Sequence, residues 1–207
     1  MVERLVHSRY VQDPRVRDAF LAVPRESFVR PEDADAAYED VPLPIGRGQT
    51  ISAPSMIAIM LEEARLAPGD RVLEIGTGSG YHAALVAHIV GPQHVVSIER
   101  IPRLAGSARS NLARAGLSGV TVIVGDGSLG YPDGSPYEVV IATAGAPEIP
   151  DPWRLQLSSR GRIVAPIGPR SGQVLIVATQ KPDGSLDVRE GTPCAFVPLI
   201  GARAWPA

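Results

Sequence analysis

Apolar and polar positions keep one rhythm up to about residue 67 and another beyond it. In the first stretch the apolar positions suit helices interrupted by prolines. Asp13-Pro14 reads as a helix start, with aspartate as N-cap and proline in the first turn. That helix is expected to run to about Val23, before Pro24. Residues 38–54 hold Pro42, Pro44, Gly46, Gly48 and Pro54, which predicts a loop without regular structure. A long ordered loop in a compact domain is often functional. Pro54 then opens a helix through about Leu66, with Met56, Ile57, Met60 and Leu61 on one apolar face.

Past residue 67, short apolar runs alternate with helical stretches. Strands are predicted at 71–75, 95–98, 120–124, 138–142 and 162–166. Helices are predicted from the glycine loop to about residue 90, over 102–115 before Gly116, and over 153–158. Segments 174–179 and 186–189 flank Pro182-Asp183-Gly184, a hairpin turn signal, and 195–199 reads as a last strand. The alternation predicts an α/β fold with a doubly wound, mostly parallel sheet, and the hairpin adds an antiparallel C-terminal part. One domain over 1–207 is expected, made of a helical and lid segment (1–66) and a cofactor-binding sheet (67–207).

Composition narrows the classes. With 44% apolar and 20% charged residues the chain is globular rather than disordered. A net charge of -2 offers no field that gathers nucleic acid, and Arg100, Arg103, Arg109 and Arg114 read as a solvated helix face. The lone Cys194 cannot form an internal disulfide and points to a reducing compartment, the cytoplasm. Residues 1–14 have no apolar run suited to a signal peptide, and no stretch has the length of a membrane span. His7, His82, His88 and His94 do not pair at metal-ligand spacing, so no metal site is expected. No pattern sets an oligomeric state, and a monomer is the working expectation.

The strongest local motif is Glu74-Ile75-Gly76-Thr77-Gly78-Ser79-Gly80, between a strand and a helix. Glycines there let backbone approach a ligand closely. The spacing is G-x-G-x-G rather than the dinucleotide G-x-G-x-x-G, because Tyr81 occupies the place of the third glycine. It is the form seen in S-adenosylmethionine-dependent methyltransferases, with NAD-type binding as the alternative. Glu99, at the end of the next strand, is placed to accept both ribose hydroxyl hydrogens. Asp126 and Gly127, after the third strand, are placed for the adenine. Each carboxylate alone reads as a cap or turn residue; three such elements at consecutive strand ends are hard to assign to turns.

Longer matches follow. Val23-Pro24-Arg25-Glu26-Ser27-Phe28, Ala37-Tyr38-Glu39-Asp40, Pro42-Leu43-Pro44-Ile45-Gly46, Gly48-Gln49-Thr50-Ile51-Ser52-Ala53-Pro54, Gly125-Asp126-Gly127, Thr143-Ala144-Gly145-Ala146-Pro147 and Phe196-Val197-Pro198-Leu199 span nearly the whole chain. In these the chain resembles the protein-L-isoaspartate O-methyltransferase family. The resemblance implies the methyltransferase sheet with an altered order of final strands. It implies methyl transfer from S-adenosylmethionine to the free carboxylate of L-isoaspartyl residues in damaged proteins and peptides. The ester then collapses to a succinimide, whose hydrolysis returns part of the material to normal aspartate. The family's active-site serine falls on Ser52. Gln49, Thr50 and Ile51 line cofactor and substrate, Ala53 the substrate, and Thr143 the cofactor, beside Glu74, Gly76, Thr77, Gly78, Ser79, Glu99, Asp126 and Gly127. Two positions depart: Ala195 stands where the family usually has arginine, and Glu138 where it has aspartate. A relative acting on a dedicated peptide or small molecule is the alternative.

The chemistry suits these residues. A carboxylate nucleophile, with a reference pKa of about 4, is already ionised at pH 7 and needs no general base. The proposed site is accordingly expected to hold no histidine and no Ser-His-Asp arrangement. Ser52 is suited to hold a carboxylate oxygen by its hydroxyl, or to cap the helix opened by Pro54, and residues 38–54 to exclude water as a lid. A module that binds S-adenosylmethionine without catalysis, and a relative acting on RNA or a natural product, are the remaining classes.

Overall fold

The structure is a computed structural model and describes residues 1–206. The chain opens with α1 (Val2–His7) and α2 (Pro14–Ala22), the latter capped by Asp13, whose carboxylate accepts from the Arg15 N–H. Two 3₁₀ turns, Arg25–Phe28 and Pro31–Ala36, lead to a ribbon of β1 (Leu43–Gly46) and β2 (Gln49–Ile51), and then α3 (Pro54–Ala64). The sheet region runs β3 (Val72–Ile75), α4 (Tyr81–Val90), β4 (Val95–Glu99), α5 (Pro102–Arg114), β5 (Thr121–Val124), β6 (Tyr137–Ala142), α6 (Asp151–Leu155), β7 (Leu157–Ile167), β8 (Gln173–Gln180) and β9 (Leu186–Cys194).

Seven strands form one sheet in the order β5-β4-β3-β6-β7-β8-β9. Pairs from β5 across to β7 are parallel, and β7–β8 and β8–β9 are antiparallel. All four residues of β3 are buried, as a central parallel strand covered on both faces requires. The chain winds outward from β3 to β5 and returns to β6 on the other side of β3. Such a reversal opens a crevice at the carboxyl ends of the strands, where ligands bind in open α/β sheets.

Alternating side chains feed two cores. On one face Val139 and Ile141 of β6 pack with Phe20, Phe28, Ile57, Leu61 and Leu85, so the N-terminal helices share a core with the sheet. On the other, Val140 and Ala142 join Leu73, Ile98 and the fully buried Trp153. Among the described residues no helix is long and apolar enough to cross a membrane.

Four local expectations are corrected. Residues 38–54 are not without regular structure: β1 and β2 pair antiparallel, with Leu43 opposite Ile51 and both buried. Positive φ angles at Gly46, Arg47 and Gly48 close the turn, and a two-stranded ribbon has open edges that tolerate Pro44. The expected last strand at 195–199 is absent, because β9 ends at Cys194 and the chain then crosses over the end of β6. Gly145 there donates to Val197 O (2.8 Å) and accepts from Leu199 N (2.8 Å). The helix expected at 153–158 lies at Asp151–Leu155, and β7 starts at Leu157 rather than near 162. Beyond these four, α1 and the 3₁₀ turns were not expected, because they are too short to show a period in the sequence.

Candidate functional site

The glycine loop leaves β3 and is pinned to its neighbour: the Gly76 and Thr77 N–H groups donate to Ile98 O at 2.8 and 3.2 Å. Gly76, Gly78 and Gly80 have φ of 97°, 55° and 89°, a region that disfavours side chains. A Cβ on Gly76 would also stand 2.5 Å from Thr143 Oγ1, which donates to Gly76 O at 2.6 Å. One on Gly78 would meet Ile45 Cδ1 at 3.1 Å, so the ribbon rests directly on the glycine loop.

Three cavities surround this loop. The first, about 120 Å³, lies between Glu99, Ile98, Gly127 and the crossover segment Val197–Ile200, and is bordered also by Gln49. The second, about 40 Å³, is closed by Thr77, Ser79, Ser52, Ile51 and His82. The third, about 210 Å³, is an open groove past Ser52, Ala53, Cys194 and Ala195. Thr50 and Thr143 line all three. No charged side chain lines the third, and burial pushes the Cys194 thiol up to about 11, which keeps it neutral.

Glu99 ends β4 with its carboxylate in the first cavity. Oε2 accepts from Gly78 N and Oε1 from Ile101 N, both at 2.9 Å, which ties the loop to the start of α5 and leaves a lone pair on each oxygen. Asp126 is turned elsewhere. Its carboxylate accepts from Ser128 N (2.9 Å), Ser128 Oγ (2.7 Å) and Ala202 N (2.7 Å), and it lines none of the three cavities. Burial pushes its pKa up, but the N–H groups of Ala202 and Ser128, the Ser128 hydroxyl and Arg100 outweigh that, and the net direction is down. Gly127 borders the first cavity, yet a Cβ there would strike Ile75 Cγ2 at 2.5 Å, so packing within the fold already demands glycine.

Ser52 does not cap α3. The N-cap residue is Ala53, and Asp40, from the preceding loop, accepts from the Ser55 N–H at 2.8 Å. Among the described residues the Ser52 hydroxyl has no hydrogen-bond partner, and it lies where the second and third cavities adjoin.

Glu74 is fully buried under the loop rather than facing the first cavity. Its carboxylate takes His82 Nδ1 at 2.7 Å on one oxygen and the Ser97 hydroxyl on the other, and Thr77 Oγ1 lies 2.6 Å from Ser97 Oγ. The expectation of a site without histidine is thereby corrected: His82 lines the second cavity, and no local pattern links it to Glu74. Arg25 was missed too. It is fully buried, donates through Nε to Ala37 O (2.8 Å), and stacks 5.2 Å from the Tyr81 ring centre. Burial brings its pKa down to about 10. Of the family departures, Ala195 lines the third cavity, whereas Glu138 accepts from Arg71 N (2.8 Å) at the opposite end of β6.

Known proteins resemble the chain over its whole length. The family model described as "Protein-L-isoaspartate(D-aspartate) O-methyltransferase (PCMT)" matches residues 1–204. A protein-L-isoaspartate O-methyltransferase of Hyperthermus butylicus is 54% identical, covering 99% of this chain and 89% of that one. The one from Methanopyrus kandleri is 50% identical, over 99% and 92%. Among solved structures, a protein-L-isoaspartate O-methyltransferase superposes with a TM-score of 0.88 at 32% identity, covering 99% of this chain and 67% of that one. A beta-aspartate methyltransferase of Plasmodium falciparum, in complex with S-adenosyl-L-homocysteine, gives 0.85 at 25% identity, over 96% of each.

Proposed function

The chain belongs to the protein-L-isoaspartate(D-aspartate) O-methyltransferase family, and from that premise we propose how its residues divide the work. The reaction moves a methyl group from S-adenosylmethionine to the free carboxylate of L-isoaspartyl residues in damaged proteins and peptides. The observation that carries the assignment of roles is the meeting of three cavities at Thr50 and Thr143. A sulfonium bears three substituents, and each finds one cavity of suitable lining. The adenosyl arm fits the first cavity, where the free lone pairs of Glu99 suit ribose hydroxyls. The amino-acid arm fits the second, and the methyl group faces the third, the peptide groove.

S-adenosylmethionine supplies the methyl group as an electrophile; the protein supplies position and dryness. The carboxylate nucleophile is ionised at neutral pH, so Ser52 has no proton to remove. Its unpartnered hydroxyl donates a hydrogen bond that holds one carboxylate oxygen toward the Thr50–Thr143 junction. The ribbon resting on Gly78 shields that junction from water. Thr50 and Ala53 wall the peptide path beside Ser52, while Gln49 and Ile51 join Gly76, Thr77, Gly78 and Ser79 along the cofactor path. Glu74 acts from beneath the loop. Asp126 acts by fastening the segment at Ala202, beside the wall of the first cavity, rather than by touching adenine.

We place the enzyme in the cytoplasm, working as a monomer and as one methyltransferase unit over 1–207, and acting on protein rather than nucleic acid. The uncharged peptide groove reads backbone rather than side chains. A normal aspartyl residue carries its carboxylate on a different arm, displaced by an ångström or more, which costs on the order of 100-fold in rate. The test is a radiolabelled methyl-transfer assay with matched isoaspartyl and aspartyl peptides. Strong preference for the isoaspartyl peptide is expected; equal labelling of both would sink the assignment and favour a relative with a dedicated substrate.

A further inference from the structure

The buried group left without work in this scheme is His82. It sits on the first turn of α4, is 7% exposed, and lines the second cavity. Its Nδ1 lies 2.7 Å from Glu74 Oε1, while its Nε2 is enclosed and has no partner among the described residues. Among the described residues Glu74 has no other charged partner, and its second oxygen is taken by the Ser97 hydroxyl.

The hydrogen-bond pattern sets the tautomer. An ionised carboxylate only accepts, so Nδ1 carries the proton and donates to Glu74. In the neutral ring Nε2 then presents a lone pair, backed by the negative charge of Glu74. A buried acceptor without a partner is costly, by the desolvation of the group. What completes it is a donor, preferably a cationic one. The cavity of about 40 Å³ holds two or three water-sized groups, which suits an ammonium and its neighbouring atoms. A carboxylate there would face both the lone pair and the charge behind it.

We propose that His82, oriented by Glu74, accepts a hydrogen bond from the α-ammonium group of the cofactor's amino-acid arm. This rests on the cofactor reading of the cleft given above. It turns the Thr77–Ser97–Glu74–His82 chain beneath the glycine loop into a charge-matched socket for one end of the ligand.

Two ligands separate this role from a structural one. S-adenosylhomocysteine carries the amino-acid arm, and 5′-methylthioadenosine keeps the adenosyl thioether without it. In calorimetry His82→Leu is expected to weaken S-adenosylhomocysteine about 10- to 100-fold, the loss of a hydrogen bond to a charged group. The affinity for 5′-methylthioadenosine is expected to stay within about twofold, which also shows that the variant is folded. Equal losses for both ligands, or none for either, overturn the assignment. In the unmutated chain, nitrogen-15 spectra of the four histidines, with His82 identified by its absence in His82→Gln, supply a second readout. The neutral ring protonated at Nδ1 is expected, with its Nε2 signal moving on addition of S-adenosylhomocysteine and not of 5′-methylthioadenosine. Protons on both nitrogens, or an unmoved Nε2, overturn it as well. Failure of the unmutated chain to bind either ligand overturns the cofactor reading itself.

Discussion

At the scale of single residues, hydrogen-bond partners separate function from support. The Ser52 hydroxyl has none among the described residues, and α3 takes its cap from elsewhere. Ser52→Ala is therefore expected to lower kcat about 10- to 100-fold. Its melting temperature and S-adenosylhomocysteine affinity should match those of the unmutated chain. A variant that lost only thermal stability would return Ser52 to a structural role. Asp126 is the opposite case, with three donors on its carboxylate. Its folded-state pKa lies below the unfolded value, near 4. The unfolded chain thus binds more protons between those two values. The stability it contributes is present above the unfolded pKa and is lost as pH falls through the folded one. Asp126→Asn is expected to melt below the unmutated chain at pH 7, with the gap narrowing as pH drops below about 4. A gap independent of pH would show that the ionised carboxylate is not what holds Ala202.

At the scale of elements, the ribbon of β1 and β2 and the start of α3 are joined by Asp40, which takes the Ser55 N–H otherwise left free at the helix end. A cap supplied from 15 residues upstream couples helix stability to the position of the segment that leads into the ribbon. Asp40→Ala is expected to cost about 1 kcal/mol, typical of a lost cap. It should also speed protease cleavage within residues 38–54. Loss of stability without faster cleavage would mean that the cap serves α3 alone. The buried Arg25 works beside it: its Nε holds Ala37 O and its guanidinium packs on Tyr81, the residue just past the glycine loop. The segment around the ribbon and the glycine loop are therefore fastened from the core side as well as through the contact of Ile45 with Gly78.

At the scale of the whole molecule, the cleft draws its walls from the ends of β3, β4 and β6, the ribbon and the crossover after β9, so a bound ligand bridges segments far apart in sequence. Binding to the folded state alone stabilises it by about 2.7 kcal/mol at 100 times Kd. For a chain of 207 residues that corresponds to a rise in melting temperature of about 5–10 °C. S-adenosylhomocysteine is expected to produce such a rise and NAD none. A rise with NAD alone would reverse the reading of the G-x-G-x-G spacing.

Much was legible in the sequence because it is encoded locally. The period of apolar positions marks β3, α4, β4 and α5, proline and glycine mark their ends, and the glycine spacing with Glu99 at a strand end marks the edge where the first cavity lies. The short α1, the ribbon within 38–54 and the early start of β7 at Leu157 were not legible, since each depends on neighbours rather than on period. The same holds for the segment 195–199, whose alternation resembles a strand but whose hydrogen bonds go to the scattered residues Gly145, Gln173 and Trp205. The chemistry divides in the same way. Sequence by itself determined which side chains are available: Ser52, Glu74, His82, Glu99 and Asp126. Only the tertiary structure decided that Asp126 turns to Ala202, that Ser52 has no partner among the described residues and that Glu74 holds His82. The physical reason is that a hydrogen bond is made by proximity in space, and winding the sheet brings together groups that no local pattern links.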